Sequence, residues 1–379
     1  MQTLQLFYKK TTKRQRLFFS ILVCLFIASL IWVNQNHAFY KSSIAELIEI
    51  TDISSTEVED PNHNKDVLYQ QKLVAEVKNG EEKGSRINLI NDYSMSQGFD
   101  QKFNVGSEVF VSINSVTREN EILTGSITGV KRDKYLVVVL WVFIFILLIV
   151  GKRQGLLSVI SLAFNATLLW FALDIYIKYA NQSLLWICAL SIIIFTVFSL
   201  LLVNGRNEKT FAAIIATLVG TFLSLAITYL CLVITSEKGL HYEELQFITR
   251  PYKTVFLAGL FIGSLGAVMD VAITMSSSLF GLYEKDPTIS IKALTKSGLE
   301  IGKDIMGTMT NILFFAYVSG SIPILLLYFK NASPFGYTMS INLSLELVRA
   351  LSGGIGIVLT IPVGLYTTMF FINRKKAQS

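Results

Sequence analysis

The sequence predicts an all-α polytopic membrane bundle of about eight spans, with a small extracytoplasmic β-rich, barrel-like domain between the first two. Three observations predict it. The chain is 52% hydrophobic and only 16% charged, with a mean hydropathy of +0.52, which is the composition of an integral membrane protein. Eight apolar runs fall at 17–33, 135–151, 156–177, 184–203, 210–235, 254–280, 304–328 and 344–372, several exceeding the roughly 18 residues that cross a hydrocarbon core. Basic clusters at 9–16, 152–153, 206–209, 285–303 and 374–376 all lie on one side of that path. Positive charge gathers on the cytoplasmic side, so both termini are expected there, in the cell membrane, with 34–134 outside. The net charge of +6 thereby points to the lipid bilayer and not to nucleic acid.

Taken in order, residues 1–33 read as a basic tail and a first span. The run follows KKTTKRQR and lacks a small-x-small cleavage site, so it reads as an uncleaved signal-anchor. Residues 34–134 have a different composition. Their first part, 40–65, mixes acids with Ser and Thr and reads as a short helix followed by a linker. Beyond it, 73–78, 86–90, 108–113 and 121–129 alternate apolar and polar positions between turn signals such as Asn79-Gly80, which predicts strands and a small barrel of OB or SH3-like type. Few aromatics and mixed charges argue against a nucleic-acid surface there.

Residues 135–379 read as a seven-helix membrane core. The loop 281–303 is expected to hold an amphipathic helix on the cytoplasmic surface, started by Asp286-Pro287. On it, Ile291, Leu294, Gly298 and Ile301 share one face, and Lys292, Lys296 and Lys303 lie away from it. A similar short helix is expected at 241–247 on the outer side. Cys24, Cys188 and Cys231 all fall within spans, so no disulfide framework is expected outside the membrane.

The best handle on function is Asp270, alone in the uncharged run 254–280. An acid at the centre of a spanning helix costs roughly 2.5–3.5 kcal/mol on insertion scales, so a lipid-facing Asp is a poor solution. At helical spacing, Gly259, Gly263, Gly266, Ala267, Asp270, Thr274, Ser277 and Ser278 share one small, polar side, which is expected to face the bundle interior, where glycines admit close neighbours.

In the next long run, Asp304, Thr308, Asn311 and Phe315 follow at helical spacing, with Gly307 beside them. Asp304 is expected near the cytoplasmic boundary, where it starts its helix or serves the site; Asn311 lies deeper, with Asp270 as its partner. Tyr317, Ser319, Gly320, Ser321 and Pro323 place hydroxyls and a helix breaker further along, and the proline either kinks the helix or opens a carbonyl to a cavity. Asn165 is central in the third span; Asp174 ends it. Glu346 and Arg349 are spaced to pair, and Ser352, Gly353, Gly354 and Gly356 thin the last helix for close packing.

Enzyme readings fall away. There is no GxxxxGK[ST] loop and no HExxH, and His37, His63 and His241 lie outside the spans, so neither a P-loop nor an intramembrane metal site is expected. Asp270 and Asp304 sit on consecutive spans as in an intramembrane aspartyl protease. That chemistry needs a proton shared at close range, and Ile-Gly-Lys precedes Asp304 in place of the required Gly-x-Gly. No cofactor is expected.

The segments GSLGAVMDVAITMSSSL and SGLEIGKDIMGTMTNILFFAYVSGSIP, with NGRNEKTFAAIIATLVGT and VGKRQGLLSVI, resemble the core motifs of the YibE/F-like bacterial membrane proteins. The resemblance covers 135 to about 329 well, and the outer domain in outline through VGSEVFVSI. It implies family positions at Gly266, Asp270, Ser277, Gly302, Asp304, Gly307, Thr308, Asn311, Tyr317 and Pro323. The family usually has a polar residue and then Leu after that Asn, whereas Ile312 and Leu313 follow here. A transporter or permease role is commonly supposed for the family.

The leading expectation is therefore a secondary transporter or permease of unknown small-molecule or ion substrate, proton-coupled through Asp270. Asn311, Thr308, Thr274, Ser277 and Tyr317 would complete the site, with Asp304 gating its mouth and Gly263, Gly266, Gly302, Gly307 and Pro323 as packing or hinge positions. The alternative is a non-transporting sensor or assembly component whose outer domain binds a ligand or partner. Close glycine faces suit a homo-oligomer or a hetero-oligomer with a second family member equally.

Overall fold

The computed structural model describes residues 13–98, 100–119, 122–179, 183–245 and 250–378. The chain divides into two compact units, Met1–Ile149 and Val150–Ser379.

The first unit begins with helix α1 (Lys13–Gln35) and a 3-10 turn (Asn36–Phe39), and continues into strands β1 (Ser43–Glu59), β2 (Lys65–Val77), β3 (Arg86–Ser94), β4 (Glu108–Glu119) and β5 (Ile122–Val130). Neighbouring strands pair antiparallel, except that Ile87 and Asn88 of β3 run parallel to Leu123 and Thr124 of β5. The sheet closes in the order β1-β2-β3-β5-β4. Alternate positions point inward, and Leu47, Leu73, Ala75, Ile87, Leu89, Phe103 and Val109 fill the interior.

The strands expected at 86–90 and 108–113 lie inside β3 and β4, and that at 73–78 falls on β2 except for Lys78, which follows its end. The fourth, 121–129, falls on β5, with Glu121 outside the described residues. The expected helix at 40–65 is overturned: most of it is β1. Ile44 and Leu47 are buried, and residues 43–59 form a register with β2 from Ala45 against Val77 to Glu59 against Lys65. β-branched content and cross-strand pairing outweigh the local mixture of acids and hydroxyls.

One buried cation ties this unit together. Lys131, with its side chain 2% exposed, pairs with Glu108 at 2.8 Å and Asp133 at 3.0 Å, and donates to the Val33 carbonyl at the end of α1. Asn36 and Tyr40 donate to the other Asp133 oxygen, and His37 holds the other Glu108 oxygen. The strand β4, the turn after α1 and the first residue of helix α2 (Asp133–Lys178) thus share one charge network. Burial disfavours the Glu108 carboxylate, but the bonds from Lys131 and His37 outweigh it and hold its pKa below the usual range. Burial likewise opposes the Lys131 charge, and Glu108 and Asp133 outweigh that, raising its pKa.

Helix α2 is a 46-residue stretch broken at Lys152, whose φ of 47° and ψ of −120° are not helical. The two runs expected at 135–151 and 156–177 lie on either side of this break. The second unit continues with α3 (Leu184–Asn204), α4 (Glu208–Ile234), α5 (Tyr252–Lys285), α6 (Ile291–Ser319), α7 (Ile322–Lys330) and α8 (Phe335–Gln378). Among the described residues, six helices are long and apolar enough to cross a membrane, or seven if α6 and α7, bent by 55° at their break, form one.

Helix α8 is the axis of the second unit, packed against α4, α5 and α6. Its contact with α4 is a seam of small and hydroxyl residues. Ser224 donates to the Ser352 carbonyl at 2.6 Å and Thr228 to the Ser352 hydroxyl at 2.8 Å, while Thr217, Thr221 and Thr360 bond within their own helices. A Cβ at Gly356 would lie 2.9 Å from Val268 of α5, so three helices converge there only because that position is bare.

Three further expectations change. The amphipathic segment within 281–303 is not a separate surface helix: residues 291–303 are the first turns of α6, and α5 runs on to Lys285. Asp286 caps the end of α5 and folds its carboxylate onto Thr288; Ser290, accepting from the Ala293 amide, starts α6. Leu294 and Gly298 remain in the helix because they pack on Leu279 and Leu365. At 241–247 only Tyr242–Glu244 forms a 3-10 turn, and 246–249 lie outside the described residues.

Removing the buried ammonium leaves Asp133 without a cation and Glu108 with His37 alone, so Lys131→Met should destabilise the first unit by about 3 kcal/mol, the cost of breaking a buried pair from one side. Thermal unfolding followed by the strand signal in circular dichroism measures it. Because the Glu108 pKa is depressed in the fold, its contribution is present above the ordinary glutamate pKa and is lost as pH falls through the folded value. The wild-type midpoint should drop over that acidic window, and Glu108→Gln should flatten the drop.

Candidate functional site

Burial along α5 divides it into two faces. Phe256, Leu260, Phe261, Val268, Val271, Met275 and Leu279 are buried against α3, α4, α6 and α8, whereas Gly259, Gly263, Gly266, Asp270 and Thr274 are exposed in one stripe. The expectation that the small polar side faces the interior of this chain's bundle is therefore not met. The reason is steric. Gly220 of α4 and Gly356 and Gly364 of α8 are bare positions, and the side chains they accept from α5 are Val268 and Met275. Once the bulky face of α5 is seated there, its glycine face turns outward.

Asp270 thus lies exposed on the nineteenth residue of a 34-residue helix. Among the described residues its carboxyl has neither a hydrogen bond nor an ion pair. Thr274 on the same stripe and Ser277 at its half-buried edge also lack side-chain partners there, while Ser276, one step round, is buried and donates to the Lys209 carbonyl of α4.

Helices α5 and α6 are antiparallel, and two contacts fix their register. The Tyr317 hydroxyl lies over Gly263, where any Cβ would collide with it, and Gly298 lies against Leu279. Asp270 is therefore level with residues 307–310, which include Gly307 and Thr308. Thr308 is exposed and returns its hydroxyl to the Ile305 carbonyl. Gly266 and Gly307 have no side chain or foreign backbone within 4 Å of where a Cβ would stand, so nothing among the described residues fills the space over either.

Other expected members separate from Asp270. Asn311 borders a groove of about 620 Å³ between α6 and α8, lined by Met306, Gly307, Thr310, Leu351, Gly354 and Val358. No hydrogen bond joins it to Asp270. Asp304 is exposed in the fourth turn of α6, level with about Thr274 on α5, so it neither starts the helix nor marks its end. No hydrogen bond joins it to Asp270 among the described residues. Gly302 is buried, and a Cβ there would lie 2.5 Å from Ile361 of α8, which makes it a packing position. Pro323 stands in the first turn of α7 and ends α6 by a break at Gly320 and Ser321.

Of the secondary candidates, Glu346 and Arg349 do pair, and the Arg349 guanidinium lies 5.4 Å over the Phe256 ring. Asn165 donates to the Ser199 hydroxyl at 2.8 Å, which also receives Ser161, and Asp174 pairs with Lys178. Sequence reading missed the α4 half of the central seam. Thr217, Gly220, Thr221, Ser224 and Thr228 recur at three and four residues, the same signal that singled out α5.

Comparison with known proteins supplies a family. Residues 139–374 match the family model described as YibE/F-like protein, and residues 38–130 match the YibE/F family N-terminal domain. No curated protein and no solved structure matches the chain.

Packing at position 302 predicts a contrast between two glycines. Gly302→Val should cost about 1–3 kcal/mol by overpacking against Ile361, whereas Gly307→Ala, facing open space, should stay within about 0.5 kcal/mol. Thermal midpoints of the two variants in nanodiscs check this. Equal midpoints would mean that α6 does not pack on α8 through residue 302.

Proposed function

The chain belongs to the YibE/F family, and we propose that it is a membrane permease or transporter component in which the Asp270 stripe of α5 borders the permeation path. One observation carries this reading: a carboxyl without a partner among the described residues stands exposed at mid-height on an apolar helix, in a stripe that the described helices leave bare except where Tyr317 crosses Gly263. Set against acyl chains, that group costs roughly 2.5–3.5 kcal/mol; set against a hydrated crevice, it costs little. A carboxyl in such a crevice is also a group that can take up and release a proton.

We read eight crossings. Helix α2 would extend about 69 Å at 1.5 Å per residue, twice a hydrocarbon core of about 30 Å, so the break at Lys152 separates two spans. The bent pair α6 and α7 makes one more. Both termini then share a side, the cytoplasmic one by the basic clusters, and the closed sheet lies outside.

A second reading rests on the same bareness. A stripe of Gly259, Gly263 and Gly266 is a close-approach surface for another helix, and the protein would then be an assembly or sensing component with Asp270 satisfied by its neighbour.

Water access separates them. In a background with Cys24, Cys188 and Cys231 replaced, Asp270→Cys in proteoliposomes should react with a membrane-impermeant thiol reagent. An internal pH dye should also report gradient-driven proton entry that falls at least tenfold in Asp270→Asn. An unreactive position 270 together with unchanged proton entry would eliminate the transport reading.

A further inference from the structure

The outer domain carries a feature that the membrane site does not use. Strand β1 pairs with β4 only from Ser43 to Glu46, after which Leu47 closes the contact through Ser107 and Gly106. From 48 to 59, β1 is hydrogen-bonded on one side alone, to β2. Twelve residues of strand edge, about 40 Å at 3.4 Å per residue, therefore stand open among the described residues.

Along this edge β1 itself is uncovered, while the buried residues of this arm, among them Gln71 and Tyr93, lie on β2 and β3. Residues 51–57 of β1 are exposed without interruption, and the buried cluster of the barrel reaches no further along β1 than Ile50. Ile53 and Leu68 are exposed on it, and Met95 beyond the end of β3 as well. Over most of this length β2 pairs on its other side with β3, from Leu68 against Ser94 to Val74 against Asn88, so β1 is the outer strand of a three-stranded arm and its free edge is left for contact.

Charge restricts what can dock. Between Lys41 and Lys65 there is no lysine or arginine, and the open edge carries Glu49, Asp52, Glu57 and Glu59. Two copies joined edge to edge and centred on Ser54 would set Glu49 of one against Glu59 of the other. Like charges directly opposite destabilise a ladder, and acids on an edge are a recognised guard against self-pairing. A strand bearing lysine or arginine meets no such repulsion.

We propose that the open edge of β1, residues 48–59, is a docking edge on which an extended basic segment of another protein adds as a further antiparallel or parallel strand. Main-chain hydrogen bonds supply the affinity, and the four acids select the charge of the guest.

The test uses the full chain in nanodiscs and a fluorescent ten-residue peptide of alternating Lys and Val. Anisotropy at physiological salt should show saturable binding. The triple variant Glu49→Lys, Glu57→Lys, Glu59→Lys should weaken it at least tenfold, and so should N-methylation of every second peptide amide, which keeps the charge but removes the bonds. An N-methylated peptide that binds as well as its parent would reduce the effect to unspecific charge attraction and overturn the proposal. Equal binding of a Glu/Val peptide would overturn it too. A spontaneous disulfide between two copies carrying Ser54→Cys, with loss of peptide binding, would assign the edge to a second copy instead. Wild-type circular dichroism in the triple variant keeps its result interpretable.

Discussion

The seam between α4 and α8 decides the rest of the helical unit. In a membrane there is no hydrophobic gain from bringing two apolar helices together, so association depends on close packing and on hydrogen bonds that lipid cannot offer. Here Gly220, Gly356 and Gly364 lower the barrier to approach, and Ser224, Thr228 and Ser352 bond across the gap. With α4 and α8 in contact, the bare places on their common surface accept Val268 and Met275 of α5. The orientation of α5 follows, and with it the outward setting of Asp270. A change at the seam would rotate the site without touching it.

Much of the architecture was legible in the sequence because it rests on long-range periodicity. Runs of apolar residues mark helices that one composition makes obligatory, and alternation marks strands such as 73–78 and 86–90. Segment 40–65 was illegible for a definite reason. Its alternation is weak beyond Ile50, since β1 itself is uncovered there and nothing imposes one, and its strand character comes from pairing with β2, a non-local cause. The start of α6 misled similarly. Asp286-Pro287 has the form of a helix start, yet the Asp286 carboxylate is occupied by Thr288, and Ser290 holds the Ala293 amide.

The site was half legible. Spacing alone put Gly259, Gly263, Gly266, Asp270 and Thr274 on one side of a helix, and they are on one side. Which way that side faces depends on competition among all faces of all helices for the few bare positions. No property of α5 alone decides that. The partnership of Asp270 with Asn311 failed for the same reason, since Asn311 turns toward Gly354 and Val358 of α8.

The length of the exposed stripe favours a path over a point contact. From Gly259 to Thr274 it rises about 22 Å along the helix at 1.5 Å per residue, most of a hydrocarbon core of about 30 Å. Tyr317 crosses it once, at Gly263. A single buried acid satisfied by one neighbour needs one bare turn to admit that neighbour. Four turns of small residues, with the carboxyl and hydroxyls toward one end, are more than such a contact requires. They are what a hydrated track or a full-length partner helix requires, and the two differ in whether water reaches the carboxyl once the protein is assembled.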